Sequence, residues 1–275
     1  DLYEGMEIGE DAPTGLITYM RTDSVRVSDT AIESVRGFIR KNYAKPYLPE
    51  TPNQYTSKAA RVQDAHEAIR PTDVRRRPED MQKYLEPDQF RLYQLIWQRF
   101  VASQMNPAIY DMTIVDFDLG KYLLRATGSV MIFDGYHVLY TEGREAEEGK
   151  SVEDLSPIPP LEVGDRVEVR SITPSQHFTE PPPRFSEASL VKELERLGIG
   201  RPSTYAQIIT TLTAREYVKL EQRRFTPSEL GETVERIMVD QFPSIFNVEF
   251  TSRMELELDK IEEGELGWQR VLADF

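Results

Sequence analysis

From Ser28 onward apolar residues return at three- and four-residue intervals, at Ile32, Val35, Ile39 and Tyr43. That spacing predicts a helix whose start is favoured by Ser28 and Asp29 and whose end is set by Pro46. A second stripe, Tyr93, Ile96, Trp97 and Phe100, predicts a helix from about Asp88 to Ser103, with Pro87 at its head. Ahead of both, GLITYMRTDS (15–24) alternates enough for a short strand or extended segment that runs into the first helix. Beyond Pro107 the period shortens. MTIVDFDL, KYLLRATG and SVMIFDGYHVLY are rich in β-branched and aromatic residues, with Gly120 and Gly128 marking turns, and VGDRVEVRSI reads as one more strand of the same sheet after an acidic loop over 142–160.

Three prolines at 181–183 favour an extended connector, so a boundary is expected near Thr173 to Gln176. The helical period then returns. Ser186 caps a helix with Leu190, Val191, Leu194 and Leu197 inward and Gly198 at its end. After GIGRPST a second helix carries Tyr205, Ile208, Ile209 and Leu212. Two short alternating runs then meet at Glu221 and Gln222 like a small hairpin. Helix, turn, helix and hairpin together resemble a winged helix. Two more helices, starting near Ser228 and Thr251, are acidic outside and apolar inside, a pattern of packing. The fold class expected is therefore α+β and multidomain: a mostly helical domain over 1–106, a β-rich domain over 107–175 and a helical domain over 176–275.

Composition narrows the chemistry. The 275 residues contain no cysteine and three histidines, which removes thiolate zinc sites, disulfides and cysteine nucleophiles and leaves no histidine-built metal cage to expect. No apolar run approaches a membrane span, and the acidic first residues lack the pattern of a signal peptide, so a cytoplasmic location is expected. The net charge of −14 argues against a polyanionic partner until it is resolved along the chain. Residues 14–77 hold twelve Lys and Arg against seven Asp and Glu, a net of +5, and residues 181–224 hold eight against five, a net of +3. Two basic stretches in an acidic chain suit a local track for phosphates.

The first stretch also contains the candidate nucleophile. In an extended YMRTDS, Tyr19, Arg21 and Asp23 share one face, which puts a phenol beside a cationic clamp for phosphate. A phenol attacks poorly unless cations stabilise the charge that develops, and Arg21 is placed to do so. In QDAHEAIRPTD (63–73), His66 and Arg70 are four apart and are expected on one helical face. Arg70 stands where a zinc protease motif would have its second histidine, so an anion site is the better reading. GIGRPSTYAQI offers Arg201, two hydroxyls and a helix start, all suited to a phosphate.

GLITYMRTDS, the QDAHEAIRPT block and RFSEASLVKELERLGIGRPSTYAQII…YV, in that order and spacing, closely resemble the bacterial type IA DNA topoisomerases, and the resemblance covers essentially the whole chain. It implies a helical nucleophile domain, a β-rich arch and a winged-helix-like gate-base domain, all parts of the family's toroid. It also implies an ATP-independent enzyme, associated with the nucleoid, that cleaves one DNA strand through a 5′-phosphotyrosine link, passes the other strand, religates and so relaxes negative supercoils. By the same resemblance Tyr19 matches the nucleophile, Arg21 a phosphate-binding arginine and His66 a histidine of the active site. Asp23, Arg70, Arg201, Ser203, Thr204 and Arg215 fall in blocks that border single-stranded DNA. The family's Toprim domain, whose acidic cluster holds Mg2+, and its zinc ribbons find no counterpart in these residues. The chain is accordingly expected to be an internal portion with no metal site of its own, monomeric, inactive alone and still able to grip single-stranded DNA. The rival readings are a non-enzymatic winged-helix protein that reads duplex DNA, and an inert interaction module. Against the former, the helix after Ser203 offers only Gln207 as an obvious reader of bases.

Overall fold

The computed structural model describes residues 1–9, 12–20, 24–55, 66–140, 155–179 and 181–275. The chain divides into two compact units, Asp1–Thr179 and Glu180–Phe275.

In the first unit the predicted helical stripes become a core. Helix α1 (Asp29–Asn42) buries Val35, Phe38 and Ile39 and ends in Arg40 and Lys41, cations that suit the negative end of a helix. A four-residue turn of helix, α2 (Pro78–Met81), precedes α3 (Pro87–Ser103), whose buried face is Tyr93, Trp97, Phe100, Val101 and Ala102. Two observations fix where α3 begins: Pro87 stands in its first turn, and Glu86 and Gln89 satisfy each other's backbone amides in a capping box. Phe38 of α1 meets Trp97 of α3 edge to face at 5.5 Å. The stretch before α2 is stitched to α3 by polar tips, with the Trp97 indole N–H donating to the Val74 carbonyl and the Tyr93 hydroxyl donating to that of Arg76. Leu2, Ile8, Leu16 and Ile17 from the N-terminal segment complete the same core.

Strands β1 (Ile109–Leu119) and β2 (Tyr122–Phe133) form one antiparallel hairpin turning at Gly120. Here the structure corrects the sequence reading. Gly128 is not a turn but pairs with Thr113 in mid-strand, so KYLLRATG and SVMIF are one continuous strand. The glycine is there for a close approach, because a Cβ at this position would meet the Ser156 carbonyl oxygen at 2.6 Å. GYHVLY leaves the sheet in a 3-10 turn (Gly135–Val138). VGDRVEVRSI, expected as a further strand, is exposed and has no strand partner among the described residues. Its alternation is real, but alternation without a neighbour makes no ladder.

The second unit follows the predicted order. Helix α4 (Glu187–Leu197) is capped by Ser186 and ends at Gly198 in the left-handed conformation, and α5 (Tyr205–Ala214) follows. Strands β3 (Val218–Glu221) and β4 (Arg224–Pro227) turn tightly through Gln222 and Arg223, both at positive φ. Helix α6 (Glu229–Gln241) starts under a Ser228 cap. Helix α7 (Val248–Glu262) begins earlier than the expected Thr251, because Asn247 accepts from the Phe250 amide and nucleates the first turn there. The sequence pattern predicts no element over α8 (Trp268–Asp274).

Candidate active site

Tyr19 lies at the end of an extended segment held between two others. On one side the Leu16 and Ile17 amides both donate to the Leu2 carbonyl, at 2.7 and 3.2 Å. On the other, Ile17 pairs with Pro71 in an antiparallel bridge, and the Thr18 and Thr72 amides donate to the carbonyls of Arg70 and Leu16. Thr18 doubles that second seam. Its hydroxyl donates to the Ala68 carbonyl at 2.9 Å and accepts from the Arg70 amide at 3.0 Å. Leu16 and Ile17 are buried in the core while Tyr19 is 37% exposed, so the backbone passes from fixed interior to accessible surface within two residues. A side chain that must meet a large substrate yet hold its direction needs that combination.

Each flanking segment sends a ring to Tyr19. His66 stacks on it with centroids 5.5 Å apart and planes at 30°, and Tyr3 meets it at 5.4 Å and 66°. Tyr19 and His66, which lie in separate sequence blocks, thus stand side by side. The helix expected to align His66 with Arg70 is absent, since residues 66–71 are non-helical, the Ala68 and Arg70 carbonyls and the Arg70 amide bond to Thr18, and the Ala68 amide donates to the Arg26 carbonyl. Arg70 instead binds Glu67 at 2.6 Å, with both side chains largely covered, and donates to the Pro71 carbonyl. Arg21 and Asp23 lie outside the described residues. Sequence reasoning passed over Thr18 and Tyr3, whose role depends on partners remote in sequence that no local pattern reveals.

In the second unit Arg201 is engaged rather than free. Its guanidinium binds Asp259 of α7 at 2.6 Å and approaches Glu255 at 3.6 Å, while the Gly200 amide donates to Glu255. Thr204 closes the turn before α5 by accepting from the Arg201 amide. Ser203 and Arg215 are exposed, and Arg215, at the C-terminal end of α5, has no ion pair among the described residues. No group of three His, Asp or Glu side chains able to hold a metal occurs among the described residues. None of the described helices is long and apolar enough to cross a membrane.

The family model of the DNA topoisomerases matches residues 1–273. The chain belongs to the bacterial type IA DNA topoisomerases. DNA topoisomerase 1 of Rickettsia typhi is 47% identical over 276 residues, a match that takes in all of this chain and 35% of that protein. The structure of full-length topoisomerase I from Thermotoga maritima matches with a TM-score of 0.79 at 39% identity, over 99% of this chain and 43% of that one. The topoisomerase chain described here thus spans about a third of the length of its curated relative. A match running through both units leaves the independent winged-helix reading without support.

Proposed function

We propose that this chain is the nucleophile-bearing portion of an ATP-independent topoisomerase that acts on single-stranded or underwound DNA. The supporting observation is the placement of Tyr19: an exposed phenol on a doubly pinned segment, beside His66, in a chain of this family. The Tyr19 phenol gives up its proton as its oxygen attacks a backbone phosphorus, a 5′-phosphotyrosine ester forms, and the P–O bond to the 3′-oxygen breaks, that oxygen taking up a proton so that none is gained or lost overall. Reversal returns the tyrosine. One phosphoester replaces another, so no energy source is consumed and supercoil relaxation drives the cycle. His66 covers the ring and keeps water from one side of the phenol, while Arg21 is the cation assigned to the phosphate.

The finer architecture follows the same reading. The helical part of the first unit is the nucleophile domain, the β1–β2 hairpin belongs to an arch, and the second unit, with its helix, turn, helix and hairpin order, is a gate-base domain of the family's toroid. Mg2+ and the general acid of the complete reaction are assigned to a Toprim domain outside this chain, and the working form to a monomer in the cytoplasm.

The grip on DNA is assigned to Arg21, Asp23, Arg70, Arg201, Ser203, Thr204 and Arg215. At physiological salt the Debye length is about 8 Å, so the distant acidic surface is screened while local cations act on phosphates. Arg70 and Arg201 must surrender part of an existing carboxylate contact to do so, whereas Arg215 need not. Fluorescence anisotropy with a short single-stranded oligonucleotide should show weak, salt-sensitive binding that Arg215→Ala reduces and Tyr19→Phe leaves unchanged. Supercoiled plasmid should not be relaxed by the chain alone. Robust relaxation, or binding indifferent to salt and to Arg215, contradicts the reading.

A further inference from the structure

We propose that Tyr3 is a positioning residue for the Tyr19 phenol, an inference that rests on Tyr19 being the nucleophile. Tyr3 is 42% exposed although it adjoins Leu2, which is buried in the core. The ring therefore forgoes the interior and lies against the exposed ring of Tyr19, edge to face, in the geometry aromatic pairs favour.

Its backbone cannot easily withdraw from that place. Leu2, next to it, is anchored through its carbonyl to the amides of Leu16 and Ile17. Residues 2–4 are closed into a turn by the Gly5 amide donating to the Asp1 carbonyl, and Met6 pairs with Thr14. Gly15 faces the Tyr3 carbonyl so closely that a Cβ there would sit 2.6 Å from its oxygen. Only glycine lets the two segments come this near, and this nearness brings the rings together.

The chemical consequence concerns direction. In-line displacement needs the phenol oxygen aligned with the scissile P–O bond, and a tyrosine at the surface has rotamer freedom to lose before it can be. His66 restrains the Tyr19 ring from one neighbouring segment and Tyr3 from the other. Tyr3 makes no ion pair and offers no cation, so its contribution belongs to the attack and not to the hold on DNA.

Single-turnover cleavage of an end-labelled single-stranded oligonucleotide by the full-length protein that carries this chain tests the point. Tyr3→Leu should slow cleavage about three- to tenfold, as expected for loss of one aromatic pair, with oligonucleotide Kd changed by less than about twofold, and Tyr3→Phe, which keeps the ring, should restore the rate. In this chain, NMR should show Tyr3→Leu moving the Tyr19 and His66 ring resonances while the amide spectrum of the helical core is retained. A wild-type cleavage rate in Tyr3→Leu, a parallel loss of binding and cleavage, or a collapsed core spectrum each overturns the proposal. Tyr19→Phe separates the two readings: its cleavage must vanish, and if it persists the assignment of the nucleophile fails whatever Tyr3 does.

Discussion

The two units hold themselves together by different means. Among the described residues, the first unit has one buried apolar cluster, drawn mainly from α1, α3 and the N-terminal segment with Val74, Met81 and Met105 added, whereas the second unit buries Phe225 and leaves Leu230, Ile237, Leu256 and Leu258 exposed. What orders the second unit is local and polar: serine and asparagine caps on α4, α6 and α7, and the ion pairs from Arg201 to α7. The contrast matches the proposed division of labour. Bond making needs a nucleophile fixed to a fraction of an ångström, and the segment bearing Tyr19 is seated directly on the core. Holding a flexible strand of DNA tolerates a softer support.

The contrast can be broken most readily at Leu16, which is fully buried three residues before Tyr19. Leu16→Ala should cost the first unit about 2–5 kcal/mol. Urea unfolding followed through Trp97, in a background where Trp268 is replaced by Phe, would register the loss, and a change below about 1 kcal/mol would show that the segment is not seated as described.

Tyr93 gives the next largest effect and a pH signature. Burial pushes its phenol well above the usual range, and its hydroxyl donates to the Arg76 carbonyl. The folded state therefore keeps this phenol neutral where the unfolded chain ionises it, so the stability it contributes is full below about pH 10 and is lost as pH rises beyond that. Tyr93→Phe should cost about 1–2 kcal/mol at neutral pH by orphaning the carbonyl, and should flatten the alkaline decline. An unchanged slope above pH 10 would remove Tyr93 from the account.

Effects in the second unit should be smaller. Ser228→Ala deprives the Gly231 amide of its acceptor and the Glu216 carbonyl of a donor, at a cost of about 1 kcal/mol. Arg196→Ala breaks an exposed pair with Glu193 and should cost no more than about 0.5 kcal/mol, less still at high salt. Thermal melts at two salt concentrations, read through Trp268, check both. If Arg196→Ala proved as costly as Ser228→Ala, surface charge would carry more of this unit than its caps do.

Much of this fold could be read from local pattern, for identifiable reasons. Helices α1, α3, α4 and α6 announce themselves because an apolar stripe coincides with a cap or a stop residue, and both signals are short-range. Local pattern misleads where a residue serves a distant purpose. Gly128 looked like a turn but makes room for residue 156, and the alternation of VGDRVEVRSI met no partner. His66 and Arg70 looked helical, but Pro71 and the Thr18 hydroxyl draw that stretch into pairing with a segment 50 residues away. The site divides likewise. Alternation and spacing single out Tyr19 and His66, family resemblance supplies the roles expected of them, and the ring of Tyr3 becomes visible only once three remote segments are brought into register.

The most direct measurement is the position of the covalent link. The full-length protein would be mixed with a single-stranded oligonucleotide, quenched with detergent and digested, and the nucleotide-bearing peptide sequenced by mass spectrometry. The account predicts one adduct, a phosphotyrosine ester at Tyr19 joined to the 5′ end of the cleaved strand and absent from Tyr19→Phe. An adduct on another residue, or attachment through the 3′ end, contradicts it.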